Sequence, residues 1–179
     1  MTTPILRGPR ARVAAGAVLA ILSGCTGGET NLGDANVRAF ATAYTAAWNS
    51  QDPARMAAHF SADGSLTING GTPAVGRDAI GQAAAGYMAA FPDMHLTMDS
   101  LQVYGNRAVY HWTFEGTNTG PGGTGRPVRF SGFEEWTLTP DGLIRQSLGH
   151  YDQADYERQL RADTSLVPAP VLEPPPPDA

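Results

Sequence analysis

At 179 residues the chain is long enough for one domain with a substantial core and short for two. It contains no lysine and carries a formal net charge of -5; without Arg7, Arg10 and Arg12 it has nine arginines against 17 acids, near -8. That balance, with no basic stripe, excludes nucleic acid as a partner class, and a single cysteine, Cys25, excludes an internal disulfide.

Arg7, Arg10 and Arg12 precede an apolar run over residues 13–22 that is too short for a permanent membrane span. The run meets Leu22-Ser23-Gly24-Cys25, which resembles the lipobox of bacterial lipoproteins. The resemblance implies a signal peptide over residues 1–24, lipid on Cys25, and an extracytoplasmic protein anchored to the bacterial membrane. Two or three acyl chains suffice as a tether at about 0.8 kcal/mol per buried methylene. Residues 25–36, Gly-rich and polar, read as a flexible spacer.

A domain is expected over residues 37–162. Val37, Phe40, Tyr44 and Trp48 recur at helical spacing, and Asn49-Ser50-Gln51 ends that helix. Asp52 and Pro53 are an N-cap and first-turn pair, predicting a second helix that runs to about Phe60 and buries Met56 and Phe60. Residues 65–69 form a short strand, and residues 78–91 a third helix stopped by Pro92. Strands follow over 95–104 and 107–117, the second with Tyr110, Trp112 and Phe114 on one face, read as core or dimer surface. The glycine-rich loop over 118–127 lacks the Gly-Lys-Ser/Thr ending of a phosphate-binding loop. A last helix is expected over 154–162, and the Pro-rich end, residues 163–179, reads as a disordered tail.

Between these lies a hairpin. Asp141-Gly142 separates two alternating runs and predicts a two-residue type I′ turn, with Pro140 facing Leu143. Counting back pairs Trp136 with Ser147, Glu134 with Gly149 and Gly132 with Tyr151, so one face carries a carboxylate flanked by aromatics and glycines. The opposite face carries Phe133, Glu135, Leu148, His150 and Asp152.

Several segments together resemble a known family. They are Tyr44 to Asp52 (YTAAWNSQD), His59-Phe60-Ser-Ala-Asp63, Gly76-Arg-Asp-Ala-Ile80, Phe91-Pro-Asp-Met-His95, Gly116-Thr-Asn-Thr-Gly120 and Phe130-Ser-Gly132. Over residues 37–160 the chain is similar to SnoaL-like polyketide cyclases of the nuclear transport factor 2-like superfamily. The resemblance implies an α+β fold, a cone-shaped curved antiparallel sheet wrapped on three N-terminal helices. It also implies an apolar pocket, a homodimer, and no metal or cofactor. The aspartate that acts as general acid and base in characterised cyclases falls on Gly149, and its histidine partner on Glu135 or Trp136, so neither is retained. Asp152 matches an acidic position common near the end of this strand. Ketosteroid isomerases, of the same superfamily, supply a further likeness: Tyr44 resembles their oxyanion-donating tyrosine, and Glu134 falls where they keep a protonated aspartate. Their basic aspartate would lie near Ile68 or Asn69, where no carboxylate stands.

The catalytic candidates are therefore Glu134, Tyr44 and, second in rank, Asp152; Trp136, Tyr151, Trp48 and Phe91 are the substrate-binding candidates. Across from Gly149, Glu134 can swing into the space of the missing aspartate, where desolvation would raise its pKa. His59, His95, His111 and His150 show no metal-ligand spacing. Two functions are expected from different classes. One is a cofactor-free cyclase or isomerase acting on a small apolar carbonyl compound. The other is a non-catalytic ligand-binding or dimerisation module at the cell envelope.

Overall fold

A computed structural model describes residues 33–161. The expected signal peptide, the lipidated Cys25, most of the spacer and the Pro-rich tail lie outside the described residues.

The chain runs α1 (Asp34–Asn49), α2 (Pro53–Ala57), β1 (Phe60–Ile68), β2 (Ala74–Val75), α3 (Arg77–Ala90), β3 (His95–Tyr104), β4 (Arg107–Thr117), β5 (Pro127–Leu138), β6 (Ile144–Tyr151) and α4 (Gln153–Arg161). Six strands form one curved sheet in the order β2-β1-β6-β5-β4-β3. The α+β architecture is as expected from the sequence, but the sheet is mixed. β1 runs parallel to β6, while every other pairing is antiparallel. Direction is invisible in an alternating pattern, and β1 finds its partner some eighty residues downstream (Leu66 beside Ser147).

The helical spacing in α1 buries Val37, Ala41, Tyr44 and Trp48 against the sheet, and Gln51, at φ 57°, turns the chain out of the helix. Asp52 caps α2 by accepting from the amides of Ala54 and Arg55, each at 3.0 Å. The second helix is shorter than predicted: Phe60 is buried but opens β1, which starts five residues before the expected strand. The two-residue β2, absent from the sequence reading, pairs with Ser65 and Leu66. α3 and α4 fall within one residue of expectation, and β3 and β4 at the expected bounds.

Side chains close what backbone pairing leaves open. Asn49, at the end of α1, imitates a strand toward Leu96 of the edge strand β3, donating to its carbonyl at 2.9 Å and accepting from its amide at 2.7 Å. Beyond the end of β6, Gln159 of α4 does the same for Arg129 of β5, at 2.7 and 2.9 Å. The glycine-rich loop spends its amides internally. Gly120 donates to Ala90 at the end of α3, while Thr124 and Gly125 donate to the side-chain and backbone oxygens of Asn118. That use of the amides is not a phosphate cradle's.

The hairpin keeps the predicted pairs by a different route. Gly142, at φ 84°, is its only left-handed residue. Its amide donates to Thr139, and Thr139 donates to Leu143, so the loop holds three residues instead of two. The extra residue displaces the register by one, and a bulge between Leu138↔Ile144 and Thr137↔Gln146 displaces it back. Trp136↔Ser147, Glu134↔Gly149 and Gly132↔Tyr151 are therefore as expected.

Candidate functional site

The inner face of β4, β5 and β6 meets α1 over a carboxyl group. Glu134, 6% exposed, sits in the middle of β5 and makes no salt bridge among the described residues. Its Oε2 accepts from Ser147 Oγ at 2.6 Å, from Trp136 Nε1 at 2.8 Å and from Tyr44 at 3.1 Å. Oε1 receives only the longer contact from Tyr44, at 3.2 Å. Each donor follows from the sequence locally. Trp136 is two residues along the same strand face, Ser147 lies diagonally across the β5–β6 pairing, and Tyr44 projects from the buried stripe of α1.

Burial pushes the Glu134 carboxyl above its ordinary range, against the opposing pull of the Ser147, Trp136 and Tyr44 hydrogen bonds. With Oε2 saturated by donors, the proton that burial favours belongs on Oε1. Burial also raises the Tyr44 phenol well above its usual value, reinforced by the Glu134 charge. The Trp48 N–H pulls it the other way, lying close to the Tyr44 hydroxyl but outside hydrogen-bond geometry.

Glu134 forms part of the wall of an apolar cavity. The cavity is small, about 60 Å³, and opens toward solvent at its mouth. Trp48 and Tyr151 line it with Glu134, and Gly149 leaves the gap opposite the carboxyl. Trp112, Phe114, Phe130 and Tyr87 complete an aromatic wall, and Leu66, Ile68, Met94 and Leu96 the aliphatic part.

Other candidates stand elsewhere. Tyr44 and Trp136 lie behind Glu134 instead of on the wall, with Trp136 stacked on Tyr110 at 4.8 Å. Phe91 is wholly buried against Phe114 and also off the wall. Asp152 is exposed, outside the cavity, and caps α4 by accepting the Asp155 amide at 3.0 Å. The strand ends at Tyr151, so no twist or bulge brings Asp152 inward. His111 and His150 flank Phe133 on the outer face, and His59 packs edge-on against Tyr44, with burial lowering its pKa. Among the described residues no cluster of three His, Cys, Asp or Glu could hold a metal ion.

Sequence reasoning assigned Trp112 and Phe114 to core or dimer surface. The signal was present in the pairing: Tyr110 opposes Glu134 and Trp112 opposes Gly132, which puts the β4 aromatics on the carboxyl's own face.

The fold agrees with comparison to known proteins. The family model for the SnoaL-like domain matches residues 41–147, more than half of the chain. The chain belongs to the SnoaL-like domain family. Solved structures of similar fold include TsrD from Streptomyces laurentii, with 26% identity and a TM-score of 0.65, covering 74% of this chain and 99% of that one. A protein of ketosteroid isomerase-like fold from Catenulispora acidiphila, in complex with trimethylamine, has 20% identity and a TM-score of 0.62, covering 68% and 91%. A putative SnoaL-like polyketide cyclase from Jannaschia has 13% identity and a TM-score of 0.59, covering 70% and 94%. At such identities the last two likenesses concern the fold alone. No curated protein matches the chain. What this SnoaL-like domain shares with them is the frame; the buried Glu134 and its three donors are read from its own residues.

Proposed function

We propose that the cavity binds a small apolar carbonyl compound and that Glu134 serves it as an acid–base group, in the manner of a cyclase or isomerase. The observation that carries this reading is a buried carboxyl, with no salt-bridge partner among the described residues, whose Oε2 is held by Ser147, Trp136 and Tyr44 while Oε1 is left short of partners. A carboxylic acid fixed in that way donates from Oε1 to a carbonyl oxygen, and the raised pKa brings it nearer to neutrality, where proton transfer is most efficient. Tyr44 steadies the carboxyl and takes up part of the charge when the proton leaves.

The test is hydrogen exchange at the α-carbons of cyclohexanone in D2O, followed by NMR. The protein should accelerate exchange and Glu134→Gln should abolish the acceleration while leaving cyclohexanone bound. Equal exchange by the variant would remove Glu134 from the chemistry.

One observation favours the second reading, a binding module without turnover: Glu134 is the only carboxylate among the cavity-lining residues, and no histidine joins it. Binding without exchange, unchanged in Glu134→Gln, is its signature. The proposal extends to location and assembly. The lipobox-like Leu22-Ser23-Gly24-Cys25 supports a lipid tether, which metabolic labelling with an acyl precursor would detect in the parent and not in Cys25→Ala. Phe133, stacked on His150 and tilted against His111, offers an outer sheet face for a homodimer.

A further inference from the structure

Exposure locates the mouth of the cavity. Its lining residues are buried except for Ile68, Tyr87 and Tyr151, which are half-buried, so solvent is reached among these three. Two of them meet there. The hydroxyls of Tyr87 and Tyr151 lie 3.4 Å apart, which is the only hydrogen bond between α3 and β6 among the described residues. Bonded hydroxyls ordinarily stand about 2.7 to 2.8 Å apart, so this contact is long and weak.

With that contact in place the cavity is too small for a ring. An apolar cavity of about 150 Å³ holds benzene. This one measures about 60 Å³. For a cyclic ligand to reach Glu134 part of the wall must move, because a close-packed interior does not yield by compression. The buried lining residues belong to the core cluster, which leaves the mouth as the part free to give way.

The two tyrosines are not held alike. The Tyr151 amide donates to Asn69 Oδ1 at 2.9 Å, and its ring packs against Phe130 and Tyr156, with centroids at 5.0 and 5.7 Å. Tyr87 has a single ring contact among the described residues, edge-on to Trp48 at 6.4 Å, and is otherwise half open to solvent.

We infer that Tyr87 is the gate of the cavity: its side chain closes against the fixed Tyr151 and swings toward solvent to admit a ring-sized ligand. This rests on the reading of the cavity as a small-molecule site and adds how that site is entered and what limits the size of its ligand. The closed state then weakens binding of every cyclic ligand, since apparent affinity falls with the fraction of molecules able to bind.

The test measures cyclohexanone binding and its rates by NMR titration and line-shape analysis of the full chain, for the parent, Tyr87→Phe, Tyr151→Phe and the double variant. Each single variant loses the hydroxyl contact and keeps the ring. Its dissociation constant should fall about twofold to threefold, the yield of one weak hydrogen bond, through a faster association rate with dissociation unchanged. The double variant should gain no more than either single one, because the two hydroxyls act through one contact. Should one variant fail to fold, the other reads the same contact. Weaker binding in the single variants would overturn the gate, since the hydroxyls would then hold the ligand instead of excluding it; so would effects that add in the double variant. Unchanged binding in both single variants would also overturn it and leave the role of Glu134 standing on its exchange test. If none of the four proteins bound cyclohexanone, the gate and the small-molecule reading would fall together.

Discussion

Tyr44, on the first helix, places its hydroxyl 3.1 Å from one oxygen of Glu134 and 3.2 Å from the other, straddling the carboxyl from above the sheet. The bond lowers the pKa of Glu134 against the stronger effect of burial. Tyr44→Phe keeps the ring contacts with Trp136 and Tyr110 but deletes the donor. The Glu134 pKa should then rise further, and stability should fall by about 1 kcal/mol. Carbon-detected titration of the side-chain carboxyl reads the first effect; an unchanged or lowered value would show that the straddling contact is not a hydrogen bond in solution.

Burial also sets the sign of a pH effect on folding. Glu134 holds its proton more tightly folded than unfolded, where its value is near 4.5. Its contribution is fully present below that pH and declines as pH rises through the folded value, by at most about 1.4 kcal/mol per pH unit. Glu134→Gln has no proton to lose and can pair its amide with the same neighbours. The stability of the parent minus that of the variant, from urea unfolding at a series of pH values, should fall as pH rises from 4.5. A difference that grows with pH would mean the carboxylate, not the acid, is the favoured buried form.

Gly149 faces Glu134 across the β5–β6 pairing with space to spare. A Cβ there would lie 3.6 Å from the Thr67 carbonyl oxygen and 3.8 Å from Glu134 Cγ, ordinary contact distances. Gly149→Ala should therefore hold or gain stability, by up to about 1 kcal/mol, since glycine is unfavourable inside a strand. Its methyl group occupies the cavity, so cyclohexanone should bind more weakly. Stronger binding, with the fold intact, would place the ligand elsewhere.

Asp152 is assigned to the helix, not the chemistry. Removing its carboxylate in Asp152→Ala exposes the start of α4 and should cost about 1 kcal/mol, seen as faster amide exchange in residues 153–161. Ketone exchange at the site should be unaffected. Loss of that activity with α4 still protected would return Asp152 to the list of acid–base groups.

How far the sequence reaches can be followed residue by residue. The pairing of Glu134 with Gly149 came out as expected because the bulge offsets the residue that the predicted turn left out, and the alternating pattern holds the carboxyl on an inner face. Tyr44 was readable from helical spacing together with resemblance to relatives. The far wall was not: Leu66 of β1, Tyr87 of α3, Met94 of the turn after α3 and Leu96 of β3 are brought to one cavity only by the three-dimensional fold. Ser147, the shortest contact to Glu134, appeared in the register as a neighbour of Trp136, and its diagonal reach depends on sheet twist. Asp152 went astray because a strand's last residue and a helix's first cap look alike in one dimension.

The three-residue loop and the bulge of the last hairpin form a matched pair, and this makes the site depend on the bulge. Surface loops ordinarily accept insertions and deletions freely. Here, a β6 that lost the bulge while the three-residue loop stayed would pair Thr137 with Arg145 instead of Gln146 and slide by one position along β5. Ser147 and Gly149 would then turn outward while Gln146 and Leu148 turned in, and Glu134 would lose its shortest donor and the gap opposite it. Relatives without the bulge should differ in the loop as well, or else in what they bind.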